Sequence, residues 1–200
     1  MIFSACIFWF VVYYTIPISD NTRMIELILG GARSGKSALA EERAEASQFA
    51  VTYLATGEAK DAEMAERIAH HQARRSSSWG LVEEPLHLAE ALIKHAATDR
   101  CLLVDCLTLW LSNLLFAEGD KSPGQKLAQE TAALLDVLPK LPGRVILVSN
   151  EVGLGIIPLG EVTRRFVDEA GRLNQRVAAV AGRVTFVAAG LPLELKSPAA

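Results

Sequence analysis

Cysteine is scarce in this sequence, and its three residues form no recognisable pair. Cys6, Cys101 and Cys106 include no C-x-x-C spacing, which argues against a disulfide framework and against a tetrahedral zinc site. Cys101 and Cys106 flank an apolar run and are predicted to be buried thiols. This use of cysteine favours a reducing cytoplasm as the location of the protein.

The sequence also lacks a strong excess of charge of either sign. Its formal net charge is −3, with 20 Lys and Arg against 23 Asp and Glu. The net charge gives no reason to expect a basic surface for nucleic acid, so we expect no nucleic-acid partner. An anionic ligand has to be held by a local cluster of donors. Half of the residues are hydrophobic, which is enough for one core without disulfides or a structural metal.

Residues 1–23 differ in composition from the rest of the chain. Residues 2–18 are almost entirely apolar or aromatic, at a length of roughly 17 residues that is the lower limit for a membrane span. A secretory signal requires a basic residue before its apolar segment, and no Lys or Arg precedes this one. A membrane anchor, a poor signal peptide and upstream sequence translated from a wrongly chosen start codon are the alternatives. We favour the last, because Met24 stands just before the first core strand, and we divide the chain into an extension, 1–23, and a catalytic domain, 24–200.

After residue 23, short apolar runs alternate with longer helical stretches. Strands are predicted at 25–29, 51–55, 101–104, 145–149 and 184–188, and helices at 37–47, 61–75, 85–97, 107–116, 125–138 and 161–181. Short, continuously apolar strands separated by helices are typical of a parallel sheet that is buried on both faces. Right-handed crossovers place helices on both sides of such a sheet, so the pattern predicts one α/β domain.

Residues 30–37 read GGARSGKS and match the phosphate-binding motif G-x-x-x-x-G-K-[ST] between a predicted strand and a predicted helix. The glycines let consecutive N–H groups turn inward around a phosphate, and the following helix adds its positive N-terminal end. Lys36 supplies positive charge to the β- and γ-phosphates, and Ser37 offers a hydroxyl to Mg²⁺. The predicted nucleotide-binding residues of this loop are Gly30, Gly31, Ala32, Arg33, Ser34, Gly35, Lys36 and Ser37.

A carboxylate ends the apolar run 101–104. In proteins with a phosphate loop, an aspartate at such a strand end helps to hold Mg²⁺, directly or through water. Asp105 also precedes the helical run that starts at Leu107, so it is alternatively a helix N-cap. The phosphate loop upstream favours the metal role, with Ser37 and Asp105 as the metal-binding pair.

The predicted helix 61–75 carries a histidine on a basic face. Spacings of three and four residues place Glu63, Arg67, His70 and Arg74 on one side. Neighbouring guanidiniums favour the neutral, nucleophilic form of the imidazole and can hold a phosphate beside it. Such an arrangement suits a covalent histidine–nucleotide intermediate. From spacing alone, a solvated helix face with an ordinary surface histidine is the simpler interpretation.

Several motifs in a fixed order resemble one known family, and the resemblance covers residues 24–196. The family is the bifunctional adenosylcobinamide kinase/adenosylcobinamide-phosphate guanylyltransferase of cobalamin biosynthesis. The resemblance implies a RecA-like P-loop NTPase fold with a mostly parallel sheet and a homotrimeric assembly. The motifs are GGARSGKS (30–37), YLATGEAKDAEMAERIAHHQARR (53–75), Trp79 with Glu83-Glu84-Pro85, VDCLTLWLSNLL (104–115), SNEVGLGIIP (149–158), GRLNQ (171–175) and AGLPLELK (189–196).

The resemblance also implies roles for individual residues. His70 falls at the family's active-site histidine, so it is expected to attack the α-phosphate of GTP and to carry GMP to the phosphate of adenosylcobinamide phosphate. Lys36 and Mg²⁺ are expected to stabilise phosphoryl transfer from ATP or GTP to adenosylcobinamide in the kinase reaction. Further GTP-binding positions implied by the family are Thr56, Gly57, Glu58, His71, Gln72, Ala73, Arg74, Glu83 and Asp105.

Two points stay open at this level. Glu151, after the fourth predicted strand, either orients the substrate hydroxyl or a metal-bound water, or caps the glycine-containing loop that follows it. The function has two alternatives: a P-loop small-molecule kinase without a covalent histidine step, and a GTP-dependent switch or membrane-anchored binding protein that uses residues 1–23.

Overall fold

The structure is a computed structural model that describes residues 24–57, 76–116 and 123–197. The extension 1–23 and the predicted helix 61–75 therefore lie outside the described residues. The strands are β1 (Met24–Gly30), β2 (Ala50–Ala55), β3 (Gly80–Glu83), β4 (Arg100–Asp105), β5 (Arg144–Asn150), β6 (Arg183–Ala188) and β7 (Leu191–Lys196). The helices are α1 (Lys36–Ala46), α2 (Leu88–His95), α3 (Leu107–Leu115), α4 (Pro123–Val137) and α5 (Glu161–Val180).

The strands form one seven-stranded sheet in the order β3-β2-β4-β5-β1-β6-β7. All neighbouring pairs are parallel except β6 and β7, which form an antiparallel hairpin. The register places Gly30 opposite Asn150 and Ala55 opposite Asp105. The carboxyl ends of β1, β2, β4 and β5 therefore meet at one edge of the sheet.

Alternate residues of the central strands point to opposite faces, and each face has its own core. Leu27 and Leu29 of β1 pack in the cluster covered by α2, α3, α4 and α5, whereas Ile28 packs in the cluster covered by α1. Trp110 of α3 is fully buried in the larger cluster, where its Nε1 donates to the Leu86 carbonyl at 2.8 Å. The predicted α/β class, with a mostly parallel sheet and helices on both faces, is confirmed.

The five predicted strands and most predicted helices are present, with boundary shifts of one or two residues. In the part of the chain that the structure describes, no helix is both long and apolar enough to cross a membrane. One apolar stripe of α5 faces the core: Ala170, Leu173 and Val177 are buried, and Phe166 and Val180 pack partly against the same cluster. Cys101 and Cys106 are buried free thiols, as predicted.

Three local predictions were wrong. The helix predicted from Pro85 begins instead at Leu88, because the Glu84 carboxylate accepts the N–H groups of Leu86 and His87 at 2.9 and 2.7 Å and holds Pro85 in a turn. Strands β3 and β7 were not predicted, since both lie at the edges of the sheet and leave most of their side chains exposed. Helix α4 begins at Pro123, two residues before the predicted start at residue 125, because the missing N–H of a proline costs no hydrogen bond in the first turn of a helix.

Helix α1 is fixed at its far end by a buried carboxylate. Glu26 of β1 is fully buried and pairs with Arg43 of α1. The Arg43 guanidinium also donates to the Thr185 hydroxyl at 2.8 Å, which joins α1 to β6. Burial lowers the pKa of Arg43, and the nearby Glu194 carboxylate raises it. A buried charge needs such partners. The contacts of Arg43 therefore fix the position of α1 relative to β1, the strand that leads into the phosphate loop.

Candidate active site

The phosphate loop runs from the end of β1 to the start of α1. Arg33 and Gly35 have positive φ values of 56° and 97°, which is how the chain reverses within six residues. The Ser34 N–H donates to the Gly31 carbonyl at 3.3 Å, and the Lys36 Nζ donates to the same carbonyl at 3.1 Å. Lys36 is 8% exposed, so its ammonium lies along the loop, where a phosphate bound by the backbone N–H groups would meet it.

The hairpin between β6 and β7 braces this loop from outside. Ala189 and Gly190 form the hairpin turn with φ values of 51° and 79°, and the Gly190 N–H donates to the Ser34 carbonyl at 2.8 Å. A Cβ atom on Gly35 would lie 3.2 Å from the Gly190 Cα. A Cβ atom on Gly30 would lie 2.5 Å from the Val187 carbonyl oxygen and 2.5 Å from the Ser34 Oγ. Close packing therefore requires Gly30, while a positive φ together with the near approach of Gly190 favours glycine at position 35.

Asp105 lies at the end of β4, at the same edge of the sheet as Gly30 and one strand away across β5. Its Oδ2 accepts a hydrogen bond from the Tyr53 hydroxyl at 3.0 Å, so the carboxylate is oriented from β2. The N-cap residue of α3 is Cys106, and it makes no side-chain capping bond. The N-cap interpretation of Asp105 is therefore wrong, while the metal role stays a prediction.

The residues available for Mg²⁺ fit a site that is completed by nucleotide. Across residues 24–57, 76–116 and 123–197, no three His, Cys, Asp or Glu side chains gather in a way that could hold a metal ion. Mg²⁺ does not need such a cage, because it is commonly bound by one or two protein oxygens together with phosphates and water. The Ser37 hydroxyl at the start of α1 and the Asp105 carboxylate supply two oxygens of that kind.

Thr56 is placed differently from what a direct nucleotide contact requires. Its side chain is fully buried, and its Oγ1 both donates to the Cys106 carbonyl at 2.7 Å and accepts the Cys106 N–H at 2.8 Å. Asn113 donates its side-chain amide to the Thr56 carbonyl at 2.7 Å. Thr56 thus joins the end of β2 to the end of β4, and these hydrogen bonds fix the position from which Gly57 continues the chain. Its role in binding GTP stays a prediction.

Of the remaining predicted nucleotide-binding positions, the structure describes one, Glu83. Glu83 is exposed at the end of edge strand β3, opposite Ala55 in the register. The structure therefore brings the phosphate loop, Thr56, Gly57, Glu83 and Asp105 to one edge of the sheet. The predicted positions Glu58, His70, His71, Gln72, Ala73 and Arg74 lie outside the described residues.

The end of β5 completes this edge and settles what Glu151 contacts. The Glu151 N–H donates to the Gly30 carbonyl at 3.0 Å, which links β5 directly to the phosphate loop. Its Oε1 accepts the Gly153 N–H at 2.6 Å, as the loop-capping alternative expects. Asn150 is held through its backbone, since its N–H donates to the Thr108 hydroxyl at 2.7 Å and its carbonyl accepts from Asn174 at 3.3 Å.

Thr108 and Asn174 were missed because each lies in a helix that the sequence marks as apolar on its buried side. Both are buried polar side chains, and buried polar groups of this kind are normally hydrogen-bonded. The signal that could have found them is a polar residue inside an apolar stripe. Asn174 also belongs to the motif GRLNQ, to which no role was given from the residues alone.

Cys106 lies beside the site without the reactivity of a nucleophile. Burial, together with the neighbouring Asp105 carboxylate, raises the pKa of the Cys106 thiol to about 12. A thiol is nucleophilic as the thiolate. Cys106 therefore stays protonated at neutral pH and acts as a small apolar side chain in the core cluster covered by α1.

A separate cavity of about 330 Å³ lies between α3, α4 and α5. Arg165, Arg172, Arg176 and Glu169 are among the residues that line it, and Arg172 donates to Glu169 at 2.6 Å. None of the lining residues belongs to the phosphate loop. The cavity is therefore distinct from the edge of the sheet that carries the predicted nucleotide positions.

Comparison with known proteins gives a consistent result at the level of sequence. The family model described as "Cobinamide kinase / cobinamide phosphate guanyltransferase" matches residues 26–195. The chain is 58% identical over 173 residues to the bifunctional adenosylcobalamin biosynthesis protein CobP of Pseudomonas aeruginosa, covering 86% of this chain and 98% of that protein. It is 40% identical over 183 residues to the bifunctional adenosylcobalamin biosynthesis protein CobU of Escherichia coli strain K12, covering 86% and 100%.

Solved structures give weaker likenesses. The flagellar accessory protein FlaH from Methanocaldococcus jannaschii is 12% identical with a TM-score of 0.49, covering 88% of this chain and 79% of that chain. The RadB recombinase is 17% identical with a TM-score of 0.44, covering 82% and 73%. Likenesses of this strength carry no inference about substrate or mechanism.

Proposed function

This chain belongs to the cobinamide kinase / cobinamide phosphate guanyltransferase family, and we propose that one nucleotide site, built on the phosphate loop, serves both of its reactions. It is a bifunctional kinase and guanyltransferase of cobalamin biosynthesis. The observation that supports the shared site most directly is the family match over residues 26–195, which contains one phosphate loop with the geometry described above. The P-loop small-molecule kinase without a transferase step is not favoured.

The kinase reaction transfers the γ-phosphoryl group of ATP or GTP to the hydroxyl of adenosylcobinamide. The acceptor oxygen forms a bond to the γ-phosphorus while the bond to the β–γ bridging oxygen breaks, and the hydroxyl proton leaves to a base or to water. The products are adenosylcobinamide phosphate and a nucleoside diphosphate. Catalysis of such a transfer is mainly positioning and charge stabilisation. Lys36 and the loop N–H groups bind the phosphates. Ser37 and Asp105 would hold Mg²⁺, which would supply positive charge against the negative charge on the phosphates.

The transferase reaction uses His70 as a nucleophile. A ring nitrogen of His70 forms a bond to the α-phosphorus of GTP, and pyrophosphate leaves. A phosphate oxygen of adenosylcobinamide phosphate then attacks the same phosphorus, the N–P bond breaks, and adenosylcobinamide-GDP is released. Splitting the transfer into two displacements is the usual benefit of a covalent intermediate. In this proposal the buried Thr56 positions Gly57, and the nucleotide is lined by Gly57, Glu58, His71, Gln72, Ala73, Arg74 and Glu83.

Covalent labelling tests the transferase step. Wild type incubated with Mg²⁺ and GTP carrying label in the α-phosphate is expected to gain one labelled GMP by intact mass, whereas label in the γ-phosphate is not retained. His70→Ala is expected to lose the label and to keep kinase activity, because the kinase step does not use the imidazole. His95→Ala, which changes a histidine of α2, is the matched control and retains the label. Equal labelling of wild type and His70→Ala eliminates His70 as the nucleophile.

The kinase-only alternative makes the opposite prediction. It requires Lys36 and Ser37 but no adduct, so wild type would remain unlabelled by α-labelled GTP. Turnover of a non-corrinoid acceptor by His70→Ala at the wild-type rate would support it. A measurable rate with adenosylcobinamide together with the adduct contradicts it.

Assembly and location are further parts of the proposal. The family resemblance supports a homotrimer, which light scattering coupled to size-exclusion chromatography tests through the molar mass in solution. A cytoplasmic location is supported by the use of ATP and GTP and by two buried free thiols, Cys101 and Cys106. Fractionation of cells that produce the full chain tests it, and a start at Met24 tests whether residues 1–23 influence the outcome.

A further inference from the structure

The loop that follows β5 exposes an unusual number of aliphatic side chains. We call residues 152–160 the aliphatic loop. Ile156 and Leu159 are 97% and 98% exposed, and Leu154 and Ile157 are mostly exposed as well. Val162, in the first turn of α5, is also exposed. Single exposed apolar residues are common, but a contiguous exposed group normally marks a binding surface.

The backbone of this loop is held in place by specific hydrogen bonds. The Arg164 guanidinium donates to the carbonyls of Pro158, at 3.1 Å, and of Leu159. The Gly153 N–H donates to the Glu151 carboxylate, and the Arg164 N–H donates to the Gly160 carbonyl at 3.0 Å. The aliphatic side chains are thus presented outward by a braced loop, in positions where surface loops usually carry polar residues.

The aliphatic loop starts beside the phosphate loop. Asn150 stands opposite Gly30 in the register, and the Glu151 N–H donates to the Gly30 carbonyl. In open α/β sheets, ligands bind outside the carboxyl ends of the strands. A molecule whose reacting group lies at the γ-phosphate therefore has its remaining bulk over neighbouring loops of this edge, and the aliphatic loop leaves the adjacent strand.

We infer that the aliphatic loop is the surface that receives the apolar part of the corrinoid acceptor. The inference rests on the proposed function, which supplies an acceptor with a broad macrocycle, methyl groups on its faces and a chain that ends in the reacting hydroxyl. An exposed aliphatic surface gains free energy by covering such a macrocycle. Contact with the acceptor also fixes the distance between its hydroxyl and the γ-phosphate, which is the main contribution that positioning makes to this chemistry.

A second copy of this chain is the competing occupant of the same surface. The outermost strand β7 offers such a copy a different apolar surface, because its Leu191, Leu193 and Leu195 are all more than half exposed. That strand lies on the far side of β1 from β5. The position of the aliphatic loop next to the phosphate loop favours the acceptor, and the test separates the two occupants.

The test compares corrinoid binding with nucleotide binding in one double variant of the full chain. Ile156→Ser with Leu159→Ser is expected to raise the Kd for adenosylcobinamide by at least about tenfold, measured by equilibrium dialysis with the absorbance of the corrinoid. The KM for adenosylcobinamide in the kinase reaction rises by a similar factor. The Kd for GTP stays within about twofold of wild type, because neither side chain belongs to the phosphate loop.

Two further variants separate a contact from a folding defect. Ile156→Val with Leu159→Met keeps the surface apolar and is expected to restore wild-type corrinoid affinity. Ile93 of α2 is an exposed aliphatic residue outside the aliphatic loop, with 58% of its surface exposed. Ile93→Ser is expected to leave corrinoid affinity unchanged. The molar mass of each variant in solution is measured in parallel.

Each outcome supports or overturns the inference. Wild-type corrinoid affinity in the serine double variant overturns it, while activity of the wild-type enzyme keeps the proposed function intact. A serine double variant that dissociates, and whose corrinoid affinity falls only through that dissociation, overturns it in favour of a second copy. A wild-type enzyme that neither binds nor phosphorylates adenosylcobinamide overturns the proposed function together with this inference.

Discussion

Two loops leave neighbouring parallel strands at the same edge of the sheet, and they are built in opposite ways. The phosphate loop, residues 30–37, is enclosed, with Ser34 and Lys36 buried and with backbone bonds to the β6–β7 hairpin and to β5. The aliphatic loop, residues 152–160, is open, with Ile156 and Leu159 almost fully exposed. One loop is fixed by backbone hydrogen bonds to its neighbours, and the other directs its aliphatic side chains outward.

The difference matches what each loop is proposed to bind. A triphosphate is recognised by N–H groups and one ammonium, whose geometry has to be fixed within tenths of an ångström for either reaction. The apolar part of a large acceptor is recognised through the area that it buries, which tolerates small shifts. The comparison therefore predicts that changes in the phosphate loop affect both reactions, whereas changes in the aliphatic loop affect the acceptor alone.

Removing the ammonium of the phosphate loop is expected to have the largest effect. Lys36→Ala should lower both the kinase kcat/KM and the rate of GMP labelling by on the order of 10²–10³-fold, because one charge that stabilises the transferred phosphate is lost. Steady-state kinetics and intact mass measure the two rates. Lys140→Ala, which removes an exposed lysine paired with Asp136, is the control and stays at the wild-type rate. A Lys36→Ala enzyme that loses only one of the two activities breaks the idea of a shared site.

Adding one methyl group to each loop sharpens the contrast in stability. Gly35→Ala forces a side chain onto a backbone with φ of 97° and places its Cβ 3.2 Å from the Gly190 Cα. We expect a loss of about 1–2 kcal/mol in the free energy of unfolding. Gly155→Ala meets no atom within 4 Å and should change that free energy by less than about 0.5 kcal/mol. Denaturant titrations of both variants measure the difference, and equal losses would remove the structural distinction between the loops.

Alkaline titration probes the buried floor beside the phosphate loop. The pKa of Cys106 rises from an ordinary value of 9.0 to about 12 in the folded protein. Between these values the unfolded chain loses a proton that the folded protein keeps, so stability falls as pH rises, by up to about 1.4 kcal/mol per pH unit for this group. Below pH 9 the contribution is constant.

The measurement is the free energy of unfolding at several pH values between 8 and 11. Cys106→Ala removes the group and should flatten the slope relative to wild type. A matching Leu159→Ser variant, in the aliphatic loop, should retain the wild-type slope. Parallel curves for wild type and Cys106→Ala would show that the thiol already ionises in the folded state.

The smallest effect is expected from the hydroxyl that orients Asp105. Tyr53→Phe removes the hydrogen bond to Oδ2 and should raise the Mg²⁺ concentration for half-maximal kinase activity by about threefold to tenfold. Its Kd for adenosylcobinamide should not change. Leu159→Ser should show the reverse pattern, with a wild-type Mg²⁺ dependence. An unchanged Mg²⁺ dependence in Tyr53→Phe would mean that Asp105 keeps its orientation without this bond.

The reliable predictions were those in which a local pattern alone fixes the answer. Apolar runs located β1, β2, β4, β5 and β6 within one or two residues, because a strand buried on both faces requires such a run. The motif located the phosphate loop, because its glycines, Lys36 and Ser37 are needed at fixed spacing. The assignment of roles to His70 and Thr56 came instead from family resemblance, and spacing by itself favoured a surface histidine.

The weaker predictions failed where local pattern and tertiary contact disagree. Edge strands β3 and β7 were missed, since half or more of their side chains are exposed and no periodic burial marks them. Pro85 suits the first turn of a helix, yet Glu84 takes the N–H groups of the following residues and delays α2. Asp105 had the sequence position of an N-cap, but Tyr53, which is 52 residues away in the chain, binds its carboxylate.

The sequence by itself determined the α/β class, the position of the phosphate loop and membership of the family, because these depend on residue types at short spacing. Tertiary structure decided which distant segments serve that loop. Hydrogen bonds join Gly190 to Ser34, Glu151 to Gly30 and Thr56 to Cys106. The two residues of each pair are 50 or more residues apart in the chain. Such contacts follow from strand order and register, which place chain ends side by side, and no short stretch of sequence encodes that proximity.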